Sequence, residues 1–298
     1  MKKLMSIAAT LLAALHGGHS LAQAALSTAN VAKMRAYEDS LLVTADSMYN
    51  APLPETRQSY TVTFVKQLKN ALATPNSYSY PFDSLGKVVN VLPAPDGAFR
   101  IFNWAIAPTD ATRRYYGAVQ LPGETLRLHG LVDYSRELGA AAEDSVLTNG
   151  RWYGALYYRI MRIEGSDDQP WYTLFGLNAG NGLSNKKVLD VLTLTAAGPR
   201  FGAPIFGIRS ATSRSKVNRF ILEYKKEVQA SMNWDETLKA IYFDRLMSPS
   251  GDEGRKYTFV PSGQYDGFRW NRGEWTFVKD VVPVLNLKDG DLPIGGPE

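Results

Sequence analysis

The chain contains no cysteine and only three histidines. Without cysteine there is no disulfide, no thiolate nucleophile, no iron–sulfur cluster and no Cys-containing zinc site. His16 and His19 fall in an N-terminal stretch with the marks of an export leader. Lys2 and Lys3 precede an apolar run from Leu4 to Leu15, and Ala22-Gln23-Ala24 supplies an A-x-A cleavage site. Cleavage after Ala24 makes residues 1–24 the signal peptide and leaves His129 as the single histidine of the mature chain. Metal sites built on two or three histidines are thereby excluded, and a Ser-His-Asp triad has only His129 to use. Long hydrophobic runs are missing too. The leader run is too short to cross a membrane, no second one follows, and no membrane span is expected in the mature chain. The expected location is the periplasm or the secreted fraction.

Charge of one sign is also scarce. Losing Lys2 and Lys3 takes the formal net charge from +4 to +2. The remaining Lys and Arg are scattered rather than gathered on one segment, so nucleic acid is not expected as a partner. Nothing indicates a cofactor or a metal. Gly176-Leu-Asn-Ala-Gly180-Asn-Gly182 lacks the G-x-x-x-x-G-K-[ST] order of a phosphate cradle and reads as a hairpin turn. Asp289-Gly-Asp291 lacks the EF-hand spacing.

What is present is an ordinary globular composition, 298 residues with 45% hydrophobic. A chain of this length buries roughly 70–75% of its unfolded surface, enough for an exported domain without disulfides. Residues 27–50 read as an amphipathic helix, with Met34, Tyr37, Leu41, Ala45 and Met48 at steps of three and four and Ser27 or Thr28 as N-cap. Ala51-Pro52-Leu53 breaks it. A second helix starts at Pro54, which suits the first helical position, and carries Tyr60, Phe64, Leu68, Ala71 and Leu72 on one face. So short a connection predicts an antiparallel helical hairpin over 25–75. The Pro, Ser, Asn and Tyr-rich stretch 74–85 reads as a linker over the surface.

Beyond the linker the pattern turns to strands. Residues 87–92 and 98–106 flank Pro95-Asp96-Gly97 as a hairpin. Further strands are predicted at 115–121, 125–132, 153–163, 171–177, 188–195, 219–224, 229–233, 240–246, 257–260, 267–270 and 275–278. Only 133–144 interrupts with helix-favouring residues. The expectation is a mainly β protein: an antiparallel sandwich, roll or open barrel over 76–284, after the N-terminal helical hairpin, with a flexible tail at 285–298. Arg114-Tyr-Tyr-Gly-Ala-Val119 echoes Arg151-Trp-Tyr-Gly-Ala-Leu156, 37 positions later, which keeps a propeller as the alternative.

The segments FRIFNW from Phe99, YTLFGLNAGNG from Tyr172, RFILEYKKEVQASMNWD from Arg219, IYFDRL from Ile241 and YDGFRWNRGEWTFVKDV from Tyr265 resemble a family of uncharacterised exported proteins from Bacteroidota, over residues 85–282. The resemblance implies an exported, Gram-negative setting. It implies no activity, and no functional residue is carried over from it.

Several constellations bear on chemistry. His129 and Asp133 share a strand face but lie about 13 Å apart by strand rise, and no G-x-S-x-G elbow occurs, so His129 reads as structural. Ser84/Lys87, Ser184/Lys187 and Ser213/Lys216 have S-x-x-K spacing but lack S-D-N and K-T-G partners. Carboxylates need no histidine: Glu223, Asp235, Asp244 and Asp266, among neighbours Glu227, Glu236 and Glu274, are the candidate catalytic set for a glycan hydrolase. The competing reading pairs such strand carboxylates with Lys225, Lys226 and Lys239. Trp152, Trp171, Trp234, Trp270 and Trp275 are candidate ligand-binding residues, because exposed aromatic faces suit a glycan or a protein. The preferred function is a non-catalytic binding or structural role in the envelope, with an envelope protein or glycan as partner. A carboxylate-dependent glycan hydrolase is one alternative. The other is an accessory subunit that docks through its hairpin stripe at Met34, Leu41, Phe64 and Leu68, if that stripe is exposed.

Overall fold

A computed structural model describes residues 25–109, 112–165, 169–209 and 214–283. The expected signal peptide at 1–24, Ser213 of the third S-x-x-K pair and the expected tail from Leu285 lie outside the described residues. Two helices come first, α1 (Thr28–Asn50) and α2 (Pro54–Leu72), as the apolar periodicity predicts. Ser27 Oγ accepts from the Asn30 amide to cap α1, and Pro54 opens α2.

Among the described residues sixteen strands follow, arranged in three open sheets. The first sheet is antiparallel and in chain order: β1 (Asn90–Pro93), β2 (Arg100–Thr109), β3 (Thr112–Leu121) and β4 (Arg127–Val132). A short helix α3 (Ser135–Leu138) leads to the middle sheet. That sheet holds β5 (Leu147–Thr148), β6 (Leu156–Glu164), β7 (Pro170–Asn178), β8 (Ser184–Thr195) and β9 (Gly198–Phe201), in the order β5-β9-β8-β7-β6. The third sheet holds β10 (Phe206–Arg209), β11 (Arg214–Val217), β13 (Met232–Asp235), β14 (Ala240–Met247), β15 (Val260–Asn271) and β16 (Glu274–Val278), in the order β11-β10-β16-β15-β14-β13. Between them in the chain, β12 (Phe220–Lys225) pairs with the first half of β8. All pairings are antiparallel except β10 with β16.

Three apolar cores separate four layers. Met34, Leu41, Met48, Phe64, Leu68 and Leu72 of the hairpin meet Phe102, Trp104 and Ile106 of β2. On the opposite face of the first sheet, Phe99, Ile101, Tyr115 and Val119 meet Trp152, Tyr157, Tyr172, Leu174, Val188 and Leu192. The far face of the middle sheet, with Phe175, Leu189 and Val191, meets Phe206, Ile241, Phe243, Phe268 and Trp275. The period-two alternation of side chains decides which layer each residue joins. Because the middle sheet is covered on both faces, residues 188–192 are buried without interruption.

Four expectations need correction. The stacked open sheets exclude a propeller, and the echoed segments are not equivalent. Tyr115–Val119 lies within β3, whereas Arg151 ends a tight turn and 152–155 precedes β6. The stretch 257–260 is a tight helical turn followed by the start of β15, which runs on through Pro261 and Gly263 to Asn271. Strands β5, β9, β10 and β11 had no counterpart in the sequence pattern.

The fourth correction concerns 74–85, which is no surface linker. Ser77, Tyr80, Phe82 and Leu85 are buried in the core between hairpin and first sheet. Two charged groups hold the segment there. Glu38 of α1, itself buried, accepts from Tyr80 Oη (2.6 Å) and from the Ser84 and Leu85 amides (2.9 and 2.8 Å). Arg100 of β2 donates to Gln120 Oε1 (2.8 Å), Tyr80 O (2.5 Å) and Ser77 O (2.9 Å), and lies over the rings of Tyr78, Phe82 and Phe102. Burial pulls its guanidinium down to about 10, so it stays charged at neutral pH. Removing the phenol hydroxyl with Tyr80→Phe leaves a buried carboxylate oxygen short of a donor. The expected loss is about 1–3 kcal/mol, read by chemical denaturation.

Candidate functional site

The candidate carboxylates do not converge. Glu223 on β12 accepts from Ser184 Oγ (2.5 Å) and faces Lys186 Nζ (3.8 Å). Asp235 accepts from the Thr237 and Leu238 amides (2.8 Å each) and closes the β13–β14 turn. Asp244 accepts from the Ser231 amide (2.6 Å). Asp266 accepts from Arg245 Nε (3.1 and 3.0 Å) and from the Asp280 amide (3.1 Å). Phe243 stands opposite Asp266 in the β14–β15 register, so Asp244 projects from the other face of that sheet. The outer carboxylates take lysines as expected for solvated strands: Glu227 with Lys225, Glu236 with Lys239 and Glu274 with Lys216. Lys226 instead donates to Ala179 O and Asn181 O.

The aromatic candidates are divided. Trp152 and Trp275 are core residues whose indole N–H groups donate to Tyr157 Oη (2.8 Å) and Thr173 Oγ1 (3.0 Å). Trp171, Trp234 and Trp270 are half-buried and pack on the third core, Trp234 and Trp270 edge-on to Trp275. His129 pairs with Val119 in the first sheet, and Asp133 accepts from the Tyr115 amide (2.9 Å) and from Ser135 Oγ (2.7 Å). Ser84 gives its amide to Glu38, and the glycine-rich segment is the β7–β8 turn. The hairpin stripe of Met34, Leu41, Phe64 and Leu68 is buried, which removes it as a docking face. Among the described residues no three His, Asp or Glu side chains gather as a metal site, and no helix is long and apolar enough to cross a membrane.

The geometry brings together something else. α2 lies over β2 and leaves the outer faces of β3 and β4 partly uncovered. Between them runs a cleft of about 470 Å³, within the range of ligand pockets. Its floor is made of the smallest side chains in the sheet, Ala118 and Gly130, beside Gly117. A Cβ placed on Gly130 meets no atom within 4 Å. Val65 and Leu68 of α2 form one wall, and Leu126, Leu128 and Val132 the other. Of the lining residues, Val65 on α2 and Val132 on β4 are exposed. At the inner end Trp104 packs edge-on to Phe64 (5.0 Å) and stacks on Tyr116 (5.8 Å). Its buried indole N–H has no partner. Lys69, in the last turn of α2, is the only charged side chain of the lining.

Comparison with known proteins adds no name to this cleft. No protein-family model matches the chain, and no match was found among curated proteins or solved structures.

A second polar cluster is closed to solvent. Asp190 of β8 and Arg219 form an ion pair (2.8 Å) with neither side chain exposed. Tyr157 Oη donates to the same carboxylate oxygen (3.5 Å) and accepts from Trp152 Nε1, while Arg219 Nη1 donates to Ala142 O (2.5 Å). Burial by itself disfavours the Arg219 charge, but the Asp190 carboxylate outweighs it and holds the guanidinium above its ordinary value. Burial, reinforced by Asp190, raises the Tyr157 phenol and keeps it neutral. With no opening to solvent, the cluster orders the core between the first two sheets. Glu38, Arg100, Asp190 and Arg219 had no assigned role in the sequence reading. Their signal there is a lone charge inside an apolar run, as in Phe99-Arg-Ile-Phe and Val188-Leu-Asp-Val-Leu.

Proposed function

We propose that this chain is a non-catalytic binding protein of the cell envelope, and that its ligand is an aliphatic acid held in the cleft between α2 and the first sheet. The observation that carries the reading is the lining: aliphatic walls, a floor of small residues and a single cationic side chain at the rim. A linear acyl chain buries apolar surface at roughly 25 cal/mol per Å² along such walls. Lys69 then meets its carboxylate, and Trp104 and Tyr116 supply flat surfaces and donors at the other side. A glycan suits the lining poorly, because its hydroxyl groups find few polar partners there. The export setting rests on the leader-like residues 1–24 and on the resemblance to exported Bacteroidota proteins.

The absence of a shared cleft among Glu223, Asp235, Asp244 and Asp266 speaks against the hydrolase reading, since glycoside hydrolysis needs two carboxylates flanking one bond. Calorimetric titration of the full chain with dodecanoate tests the proposal, with maltohexaose as the glycan control. Saturable binding of dodecanoate with a negative heat-capacity change supports it. Binding of maltohexaose alone contradicts it.

A further inference from the structure

A second cavity, of about 280 Å³, opens at the other end of the hairpin, where the loop joining α1 to α2 overhangs the start of β3. Its apolar floor is Ala105-Ile106-Ala107 at the end of β2, and Tyr49, Arg57 and Arg113 supply its polar lining. Among the described residues no carboxylate lines it. Neither arginine forms an ion pair among those residues, which they share with Arg100. Arg162, Arg219, Arg245 and Arg255 each pair with an aspartate. Arg57 spends Nη1 on the Ala51 and Pro52 carbonyls (2.9 and 3.1 Å), which fixes the side chain, and its buried Nε has no partner. Arg113 gives Nη1 only to the carbonyl of Thr112 (3.1 Å). Two guanidinium groups lining one cavity repel each other, and an anion between them removes the repulsion. Burial pushes the Tyr49 phenol up to about 12, so its hydroxyl remains a donor at neutral pH.

We propose that the pocket between Tyr49, Arg57 and Arg113 binds the phosphoryl group of a small molecule or a lipid headgroup. Charge and the number of acceptor oxygens favour phosphoryl over carboxylate. The charge of a phosphate monoester, about −1.5 to −2 at pH 7, matches two guanidiniums. Its oxygens accept from both forks and the phenol together, whereas a carboxylate is satisfied by one arginine. The volume is enough for a phosphoryl group. The site is separate from the acyl cleft and stands or falls independently of it.

The test is a titration of the full chain with inorganic phosphate at constant ionic strength, read by calorimetry and by the melting temperature. The expected result is saturable binding that weakens about tenfold or more in Arg113→Gln, the loss of one charge-assisted hydrogen bond. Arg57→Gln serves as the second variant, with its melting temperature reporting whether the interhelical loop has held. Acetate at the same concentration is expected to compete at least about tenfold less well than phosphate. Glycerol 3-phosphate binding as tightly as phosphate assigns the site to small phosphate monoesters. Selective co-sedimentation with phosphatidic acid vesicles over phosphatidylcholine vesicles, lost in both variants, assigns it to the headgroup. Absence of saturable binding in every arm, or binding unchanged in both variants, or acetate competing equally with phosphate, overturns the proposal.

Discussion

Replacing Asp190 by asparagine is expected to destabilise the protein by about 3–5 kcal/mol, the cost of leaving one member of a buried ion pair uncompensated. The substitution keeps the side-chain volume, so no cavity contributes. It leaves the Arg219 charge fully buried, with one nitrogen already lacking a partner. It also leaves one acceptor oxygen where there were two, so the Val191 amide competes for it with Arg219 and the Tyr157 hydroxyl. For a chain of this size the loss corresponds to a fall in melting temperature of about 10 °C. The paired replacement Asp190→Leu with Arg219→Met removes both charges and is expected to regain most of the stability, because apolar groups of similar volume substitute well for buried pairs. Thermal and chemical denaturation of the three proteins decides it. A single variant that melts with the wild type would show that the pair is not closed to water.

Filling the cleft should have the largest effect on binding. Gly130 sits on β4 with its missing side chain directed into open space, and its backbone is in an ordinary strand conformation. A Cβ is therefore accommodated at this position, and a phenylalanine ring extends from it into the cleft. The Gly130 carbonyl still accepts from Asn149 Nδ2, so the edge of the sheet stays anchored. Stability is expected to hold or rise, since glycine within a strand carries an entropic penalty. The new ring occupies space otherwise open to an acyl chain. Displacing about four methylenes at ~0.8 kcal/mol each weakens dodecanoate binding by roughly two hundredfold. Calorimetry on Gly130→Phe beside the wild type reads this directly, and equal affinity in the two proteins would place the ligand elsewhere.

The hairpin was legible because its stripes repeat at helical spacing and its ends carry ordinary signals, Ser27 as cap and Pro54 as first residue. The mainly β body was legible from its aromatic and β-branched runs. The number of layers was not. Where a sheet is covered on both faces, as at 188–192, alternation disappears and the sequence no longer says how many sheets lie against it. Strands β9 and β10 carry Gly198-Pro199 and Gly207, residues that read as turns, and only pairing with neighbours makes them strands. The stretch 74–85 has loop composition, yet Phe82 and Leu85 are core residues held down by Glu38. Burial of that kind is a tertiary fact. The carboxylates were visible as residues, but their partners were not, and pairing decides that they serve the fold. The cleft was least legible of all. It is defined by what Gly130 and Ala118 lack, and the meaning of a small side chain depends on the element that faces it.

The most direct measurement of the central claim, that an acyl chain occupies the cleft, is contact quenching of Trp104 by dodecanoate brominated along its chain. Trp104 is one of six tryptophans and the only one lining the cleft. Saturable quenching of part of the fluorescence is expected in the wild type, and its disappearance in Trp104→Phe, with the other five emitters unaffected. Quenching that persists unchanged in Trp104→Phe, or none at saturating ligand, would contradict it.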